Sequence, residues 1–235
     1  MVQEALLVPW RRRREFAWAL AVPLALLAGL SLARYFAREV LQAAGWTLFV
    51  VYCGVFAVFF TLFAVTCHRL VLLAPRMPAV RWSWRESRFL SWVVTLWIAY
   101  IAVWWLGLLV LGNLWPRDAN LPAWSPVLEF LASLPALYLV ARLSLVFPAT
   151  AIDRHVGLRW AWRVSRGNGW RLVVVVTVLP WLVSHLVGLL YRDEATAAEI
   201  VLLTVLGTAL FALEIAALSI AYRELVKHET NFERS

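Results

Sequence analysis

The sequence predicts an all-α, polytopic membrane protein with six transmembrane helices arranged as three hairpins. Of its 235 residues, 63% are hydrophobic and 15% are charged, and its mean hydropathy is +0.76. Soluble domains average about 45–50% apolar and about 25% charged residues, so this chain needs a bilayer to cover its apolar surface. The apolar residues form six runs near the roughly 20 residues that cross about 30 Å of hydrocarbon as a helix. Barrel strands are excluded because they would alternate apolar and polar residues.

We expect a single membrane domain over residues 1–235. The predicted spans are residues 16–33, 46–73, 89–111, 126–148, 172–190 and 197–222. Pro75 ends the second span because proline lacks the amide donor and clashes with the preceding helical turn. The basic start followed by an apolar run is also the pattern of a signal peptide. The first run is long and has equivalents later in the chain, so we expect it to be retained as a span.

Two basic, tryptophan-bearing segments of the chain repeat each other. Residues 81–88 read RWSWRESR and residues 159–166 read RWAWRVSR, and we name them elbow 1 and elbow 2. They share six of eight positions: Arg81 and Arg159, Trp82 and Trp160, Trp84 and Trp162, Arg85 and Arg163, Ser87 and Ser165, Arg88 and Arg166. Each elbow precedes an apolar run and follows an arginine that lies six residues before a proline, namely Arg69 before Pro75 and Arg142 before Pro148.

The repeat predicts three hairpin units of the same orientation, at residues 10–75, 81–148 and 159–223. Such units are parallel repeats, which are related by an axis along the membrane normal. Unit one matches the pattern only partly, so its equivalence to the other two remains open.

The distribution of basic residues predicts that both termini are cytoplasmic. With the N-terminus inside, eighteen of the twenty-two lysines and arginines fall in the inner segments, as the positive-inside rule requires. The four others are Arg34, Arg38, Arg117 and Arg192.

The elbows have the composition of a site for anionic lipid headgroups. Tryptophan prefers the headgroup level, and arginine can bind a phosphate through two hydrogen bonds. In elbow 2 we expect Arg159, Arg163 and Arg166 to lie along one helical face, at spacings of four and three. Two alternatives remain open: an ordinary juxtamembrane segment, or a docking face for a protein partner or for a second copy of the chain.

Ionisable residues inside the spans are the other candidates, because burying them in hydrocarbon is costly. Arg142 and Glu214 lie at similar predicted depths, and we expect them to pair directly or through water. Such a pair would be a structural clamp or would line a path for protons or ions. Weaker candidates are His185 and Glu129 near the outer span ends, and Arg69 at the inner end of the second span.

No motif predicts a catalytic, cofactor or metal site. The four histidines and two cysteines are scattered without ligand spacing, and nucleophile, Walker and dinucleotide motifs are missing from the sequence. The net charge of +8 raises nucleic-acid binding as an alternative. Without a basic aromatic sheet or a recognition-helix pattern, we expect no nucleic-acid partner.

Residues 142–148, RLSLVFP, followed by residues 161–171, AWRVSRGNGWR, resemble bacterial six-helix inner-membrane proteins of the YciC-like family. That family is related to the membrane domain of some glycerophosphodiester phosphodiesterases. The resemblance implies a helical bundle of the bacterial inner membrane and carries over no catalytic residue.

Sequence and resemblance together favour a non-enzymatic scaffold, accessory subunit or lipid-associated factor. The alternatives are a small transporter or channel that uses Arg142 and Glu214, and a membrane-embedded enzyme that acts on lipids.

Overall fold

The computed structural model of the chain describes residues 13–37, 45–73, 81–114, 125–178 and 196–232, and all regular secondary structure in these ranges is helical. The helices are α1 (Arg13–Phe36), α2 (Gly45–Leu73), α3 (Trp84–Leu114), α4 (Ser125–Leu143), α5 (Val146–Ala151), α6 (Leu158–Val164), α7 (Gly169–Val173) and α8 (Ala197–Phe232). A π-helical turn at Val174–Val178 continues α7.

Five segments of the described chain are long and apolar enough to cross a membrane: Arg14–Phe36, Trp46–Leu73, Trp84–Val110, Phe130–Ala151 and Ala197–Lys227. They coincide with five of the six predicted spans. Of the remaining predicted span, at residues 172–190, only the part up to Val178 is described, and it is an apolar helix. Residues 179–190 lie outside the described residues.

Two helices continue past the ends of the predicted spans. Helix α3 continues to Leu114, past the predicted end of the third span at residue 111. Helix α8 continues to Phe232, beyond the predicted end of the last span at residue 222. Neither extension contains a proline, which would stop a helix.

The predicted fourth span is interrupted near its end. Helix α4 stops at Leu143, and α5 starts at Val146. Pro148 explains the break, because its missing amide and its ring deny the Ser144 carbonyl the usual helical partner four residues on. The Phe147 amide donates to that carbonyl instead, at 3.0 Å. The chain therefore enters a short second helix with a tighter turn between the two.

Helix α5 lies at the centre of the bundle. Helices α2, α3 and α8 all pack against it. Five of its six residues are buried, namely Val146, Pro148, Ala149, Thr150 and Ala151. Small side chains here let three long helices approach one another, and this packing fixes the residues that follow α5.

Helices α3 and α4 form the most extensive helix pair, and they approach closely at Gly107. A Cβ atom added at Gly107 would lie 2.7 Å from the Ala132 carbonyl oxygen, so only glycine fits. On its other side α3 exposes large apolar residues such as Trp97 and Trp105. An apolar patch of this kind is suited to lipid rather than to water.

The elbows and the turn after α5 lie at one end of the bundle, which we name the basic end. It holds the C-terminal part of α2 with Arg69, elbow 1, residues 152–157 and elbow 2.

Candidate functional site

Elbow 1 is the start of helix α3. Ser83 and Glu86 form a capping box, in which the Ser83 amide donates to Glu86 Oε2 at 2.8 Å and the Arg85 amide approaches Ser83 Oγ at 3.3 Å. The Ser83 hydroxyl donates to the same carboxylate. The indole of Trp82 donates to Ser87 Oγ at 3.0 Å. Elbow 1 thus directs the chain straight into the long helix α3.

The arginines of elbow 1 turn toward the protein. The Arg85 guanidinium binds Glu86 Oε1 at 2.8 Å and Asp153 Oδ2 at 3.0 Å. Arg88 lies 3.8 Å from Asp153 Oδ1 and contacts the His155 ring. Arg69, from α2, donates to Asp153 at 3.4 Å. Asp153 is therefore shared by three arginines from two helices.

Asp153 is held in place by the end of α5. Its φ angle is +62°, a left-handed conformation that aspartate tolerates better than most residues. The Asp153 amide donates to the Thr150 carbonyl at 3.0 Å, and the Arg154 amide donates to the Ala149 carbonyl at 2.9 Å. These two bonds make a Schellman motif, which ends α5 and presents the Asp153 carboxylate to the arginines.

Elbow 2 adopts a different structure from elbow 1. It forms the separate helix α6, which begins after Gly157 and ends at Val164. Gly167 has a φ angle of +80°, so the chain turns before α7 starts at Gly169. The prediction that Arg159, Arg163 and Arg166 share one helical face is wrong, because Arg166 lies in the turn beyond α6. Left-handed Gly167 is the physical reason for that turn.

Arg142 binds the end of α6. Its Nε donates to Ser165 Oγ at 2.9 Å, and its Nη2 donates to the Trp162 carbonyl. The guanidinium carbon lies 3.5 Å from the centre of the Trp162 ring, with Tyr138 on another side at 5.7 Å. Arg142 is only 8% exposed. The negative end of the helix dipole and two aromatic faces thus stabilise its charge.

The expected pair of Arg142 with Glu214 is not formed directly within the described part of the chain. Arg142 is turned toward α6, while Glu214 lines an apolar, partly open cavity among the helices of the bundle. The sequence could not show which way the Arg142 guanidinium points. We correct the direct pair to an Arg142 clamp on elbow 2.

Trp160 packs elbow 2 against α8. Its ring packs on Tyr222 of α8 at 6.1 Å between centroids. Arg154 lies 5.5 Å from the Trp160 ring and donates to Tyr222 Oη at 3.3 Å. Together with the Arg142 clamp, these contacts fix the orientation of α6 on the bundle.

The outward surface of elbow 2 is basic and aromatic. Arg159, Arg163 and Arg166 are exposed, and so is Arg171 at the start of α7. Trp162 is 43% exposed and Trp170 is 64% exposed beside them. The sequence has no acidic residue between Glu129 and Asp193 except Asp153, and Asp153 contacts arginines of α2 and α3. The stretch of sequence around elbow 2 is therefore strongly basic.

Other predicted site residues have mixed outcomes. Arg81, Trp82 and Trp84 of elbow 1 are exposed, whereas Arg85 and Arg88 are partly covered. Arg69 donates to the Ala151 carbonyl at 3.2 Å as well as to Asp153. His185 lies outside the described residues, as does the side chain of Glu129.

Two further polar residues of the bundle, Asp153 and His68, were not predicted as site residues. Asp153 binds the arginines of elbow 1. The sequence indicated this role, because Asp153 is the one acidic residue between Glu129 and Asp193. His68 is buried inside the bundle, where its Nδ1 lies 2.7 Å from Ser219 Oγ of α8. Only the packing of α2 against α8 shows that the His68 side chain points inward.

The described fold has the character of a multi-pass helical membrane protein with a basic, tryptophan-bearing end. No family model, curated protein or solved structure matches the chain. The resemblance of residues 142–171 to the YciC-like family therefore remains a prediction.

Proposed function

We propose that this protein is a lipid-associated, non-enzymatic protein of the bacterial inner membrane, with six spans in three hairpins and both termini cytoplasmic. Its basic end would face the cytoplasm, and elbow 2 would bind anionic lipid headgroups there. A role as scaffold or accessory subunit would follow from this placement. The observation that carries the proposal is the exposed set of arginines and tryptophans on elbow 2.

The geometry of elbow 2 supports headgroup binding in two ways. The Arg142 clamp and the Trp160–Tyr222 contact hold α6 on the bundle, so the surface is preorganised. The exposed rings of Trp162 and Trp170 lie near arginines, which combines an interfacial anchor with phosphate donors.

Elbow 1 is a weaker candidate in spite of its similar sequence. Arg85 and Arg88 bind Glu86, Asp153 and His155, so a phosphate would have to displace existing partners. Of the elbow 1 arginines, Arg81 is the exposed one. We therefore assign most of the lipid affinity to elbow 2.

The transporter alternative required a path lined by Arg142 and Glu214. The contacts of Arg142 with Ser165 and Trp162 support a structural role for this arginine instead. They give no support to a path that runs past it.

The proposal is tested by replacing Arg159, Arg163 and Arg166 together with Gln. Each arginine near an anionic surface contributes about 1 kcal/mol, so the triple variant should lose roughly a hundredfold in affinity. The protein is purified in gentle detergent, and native mass spectrometry measures bound phosphatidylglycerol and cardiolipin against phosphatidylethanolamine.

The matched control replaces Arg34, Arg38 and Arg117 with Gln, which removes the same charge from the predicted outer side. The control should retain anionic lipid at the wild-type level. Wild-type retention by the elbow 2 variant would overturn the proposal. A stoichiometric protein bound in place of lipid would favour the docking alternative.

A further inference from the structure

A partly open cavity of about 170 Å³ lies among the helices of the bundle, at the level of α5. It is bounded by α2, α3, α4, α5, α8 and the π-helical turn after α7. Four phenylalanines contribute to its wall, namely Phe60, Phe89, Phe147 and Phe211. An engineered apolar cavity of about 150 Å³ accommodates benzene, so this space suits a ligand of that size or slightly larger.

The phenylalanines form two pairs around the cavity. Phe60 and Phe211 meet edge to face, with ring centroids 5.7 Å apart. Phe89 and Phe147 are tilted toward each other at 5.0 Å. Phe211 is 41% exposed, so the cavity is not sealed from the surface of the described bundle. Several aromatic faces around one space are the arrangement that attracts organic cations.

Three polar side chains also line the cavity, and two of them are satisfied within the protein. The Ser144 hydroxyl donates to the Ala141 carbonyl at 2.8 Å. His68 bonds through Nδ1 to Ser219 Oγ, whose own hydroxyl donates to the Ile215 carbonyl at 2.8 Å. The third polar side chain is Glu214.

Glu214 is partly buried, and it forms no hydrogen bond or ion pair with another described residue. Arg142, the basic residue expected to neutralise it, is held by elbow 2. A charged carboxylate in an apolar, aromatic cavity without a basic partner is costly, so the group either takes up a proton or binds a cation. A bound cation would supply that charge.

We propose that this cavity binds a small lipophilic monocation of the organic ammonium class. The ammonium group would lie against the Glu214 carboxylate, and its apolar substituents would contact the phenylalanine rings. An anion would be repelled by Glu214, and a neutral hydrocarbon would leave the carboxylate without a partner. This proposal is independent of lipid binding at elbow 2, which lies on the outer surface of the basic end.

Phenyltrimethylammonium is the probe that matches the cavity in size and charge. Its binding to the full-length protein in detergent is measured by equilibrium dialysis with the radiolabelled cation. We expect saturable binding that falls by about tenfold or more in the Glu214→Gln variant. tert-Butylbenzene has the same shape without the charge, and it should compete at least about tenfold less effectively at equal free concentration.

Glu224→Gln is the matched control, because Glu224 is on the same helix but at the surface, beside Arg223 and Lys227. It should bind the cation with wild-type affinity. If Glu214→Gln fails to fold, Phe89→Leu provides a second variant that removes one ring, and we expect it to weaken binding about threefold or more. Wild-type affinity in a folded Glu214→Gln protein, equal competition by tert-butylbenzene, or no saturable binding would overturn the proposal.

Discussion

Elbow 1 and elbow 2 have nearly the same sequence and use it in opposite ways. Elbow 1 begins a long helix and turns Arg85 and Arg88 toward Asp153. Elbow 2 forms a short helix of its own, exposes its arginines and receives Arg142 from α4. A shared motif of tryptophans and arginines therefore does not fix a shared role, because the partners around it decide where each side chain points.

The preceding arginines differ in the same way. Arg142 reaches the elbow that follows it, where it binds Ser165 and the Trp162 carbonyl. Arg69 occupies the equivalent position before elbow 1, but it binds Ala151 and Asp153. The sequence repeat thus corresponds to two distinct local structures at the basic end.

Arg142→Gln should have the largest effect on stability. The substitution removes a buried charge that is bonded to α6 and leaves the end of that helix without its donor, so we expect a loss of about 3 kcal/mol. Reversible unfolding in mixed detergent and dodecyl sulfate measures the free energy of unfolding. Arg69→Gln, which removes a partly exposed arginine, should cost less than half as much. Equal losses would contradict the difference between the two arginines.

Glu86→Val gives elbow 1 the residue that elbow 2 has at Val164. It removes the capping box and the close pair with Arg85, and we expect the free energy of unfolding to fall by about 2 kcal/mol. Glu86→Gln is the control, because glutamine can still cap Ser83 while losing the ion pair. It should retain part of the stability. A Glu86→Val protein as stable as wild type would show that the capping box is unimportant.

Gly167→Ala tests the turn that separates α6 from α7. A side chain at a φ angle of +80° costs about 1 kcal/mol, and the same unfolding measurement should detect the loss. Gly207→Ala is a suitable comparison, since a Cβ at Gly207 meets nothing within 4 Å and the residue is helical. That variant should be neutral or slightly stabilising. The opposite order of stability would refute the role of Gly167.

Asp153→Asn should have the smallest effect. Asparagine keeps the left-handed turn but removes the charge shared by Arg69, Arg85 and Arg88. The Asp153 side chain is 54% exposed, so water screens these ion pairs, and we expect a loss below about 1 kcal/mol. High salt should reduce the difference between Asp153→Asn and wild type. A difference that does not depend on salt would argue against an electrostatic origin.

Helix positions were predictable because hydrophobic length is a local property of the chain. Five of the predicted spans match apolar helices of the described residues, and most of the span ends agree within a few residues. The break between α4 and α5 was less apparent, although Pro148 was its signal. Pro148 could either end the fourth span or start a new short helix, and the sequence did not distinguish these two structures.

Side-chain direction could not be predicted for the candidate site. Arg142 and Glu214 were identified from the cost of burying charge, but their partners depend on how α4 and α8 rotate against α6. The split between elbow 1 and elbow 2 comes from the pairs Ser83 and Ala161, and Glu86 and Val164, which a comparison of shared positions overlooks. The positions at which elbow 1 and elbow 2 differ thus determine their structures more than the positions that they share.

The most direct test of the account is to record the arginine Nε–H signals of the protein by nuclear magnetic resonance, in nanodiscs with and without phosphatidylglycerol. Arg159, Arg163 and Arg166 should shift when the anionic lipid is added, because they face the headgroups. Arg85 and Arg142 should keep their positions, because their partners lie within the protein. Shifts confined to elbow 1, or none at elbow 2, would contradict the account.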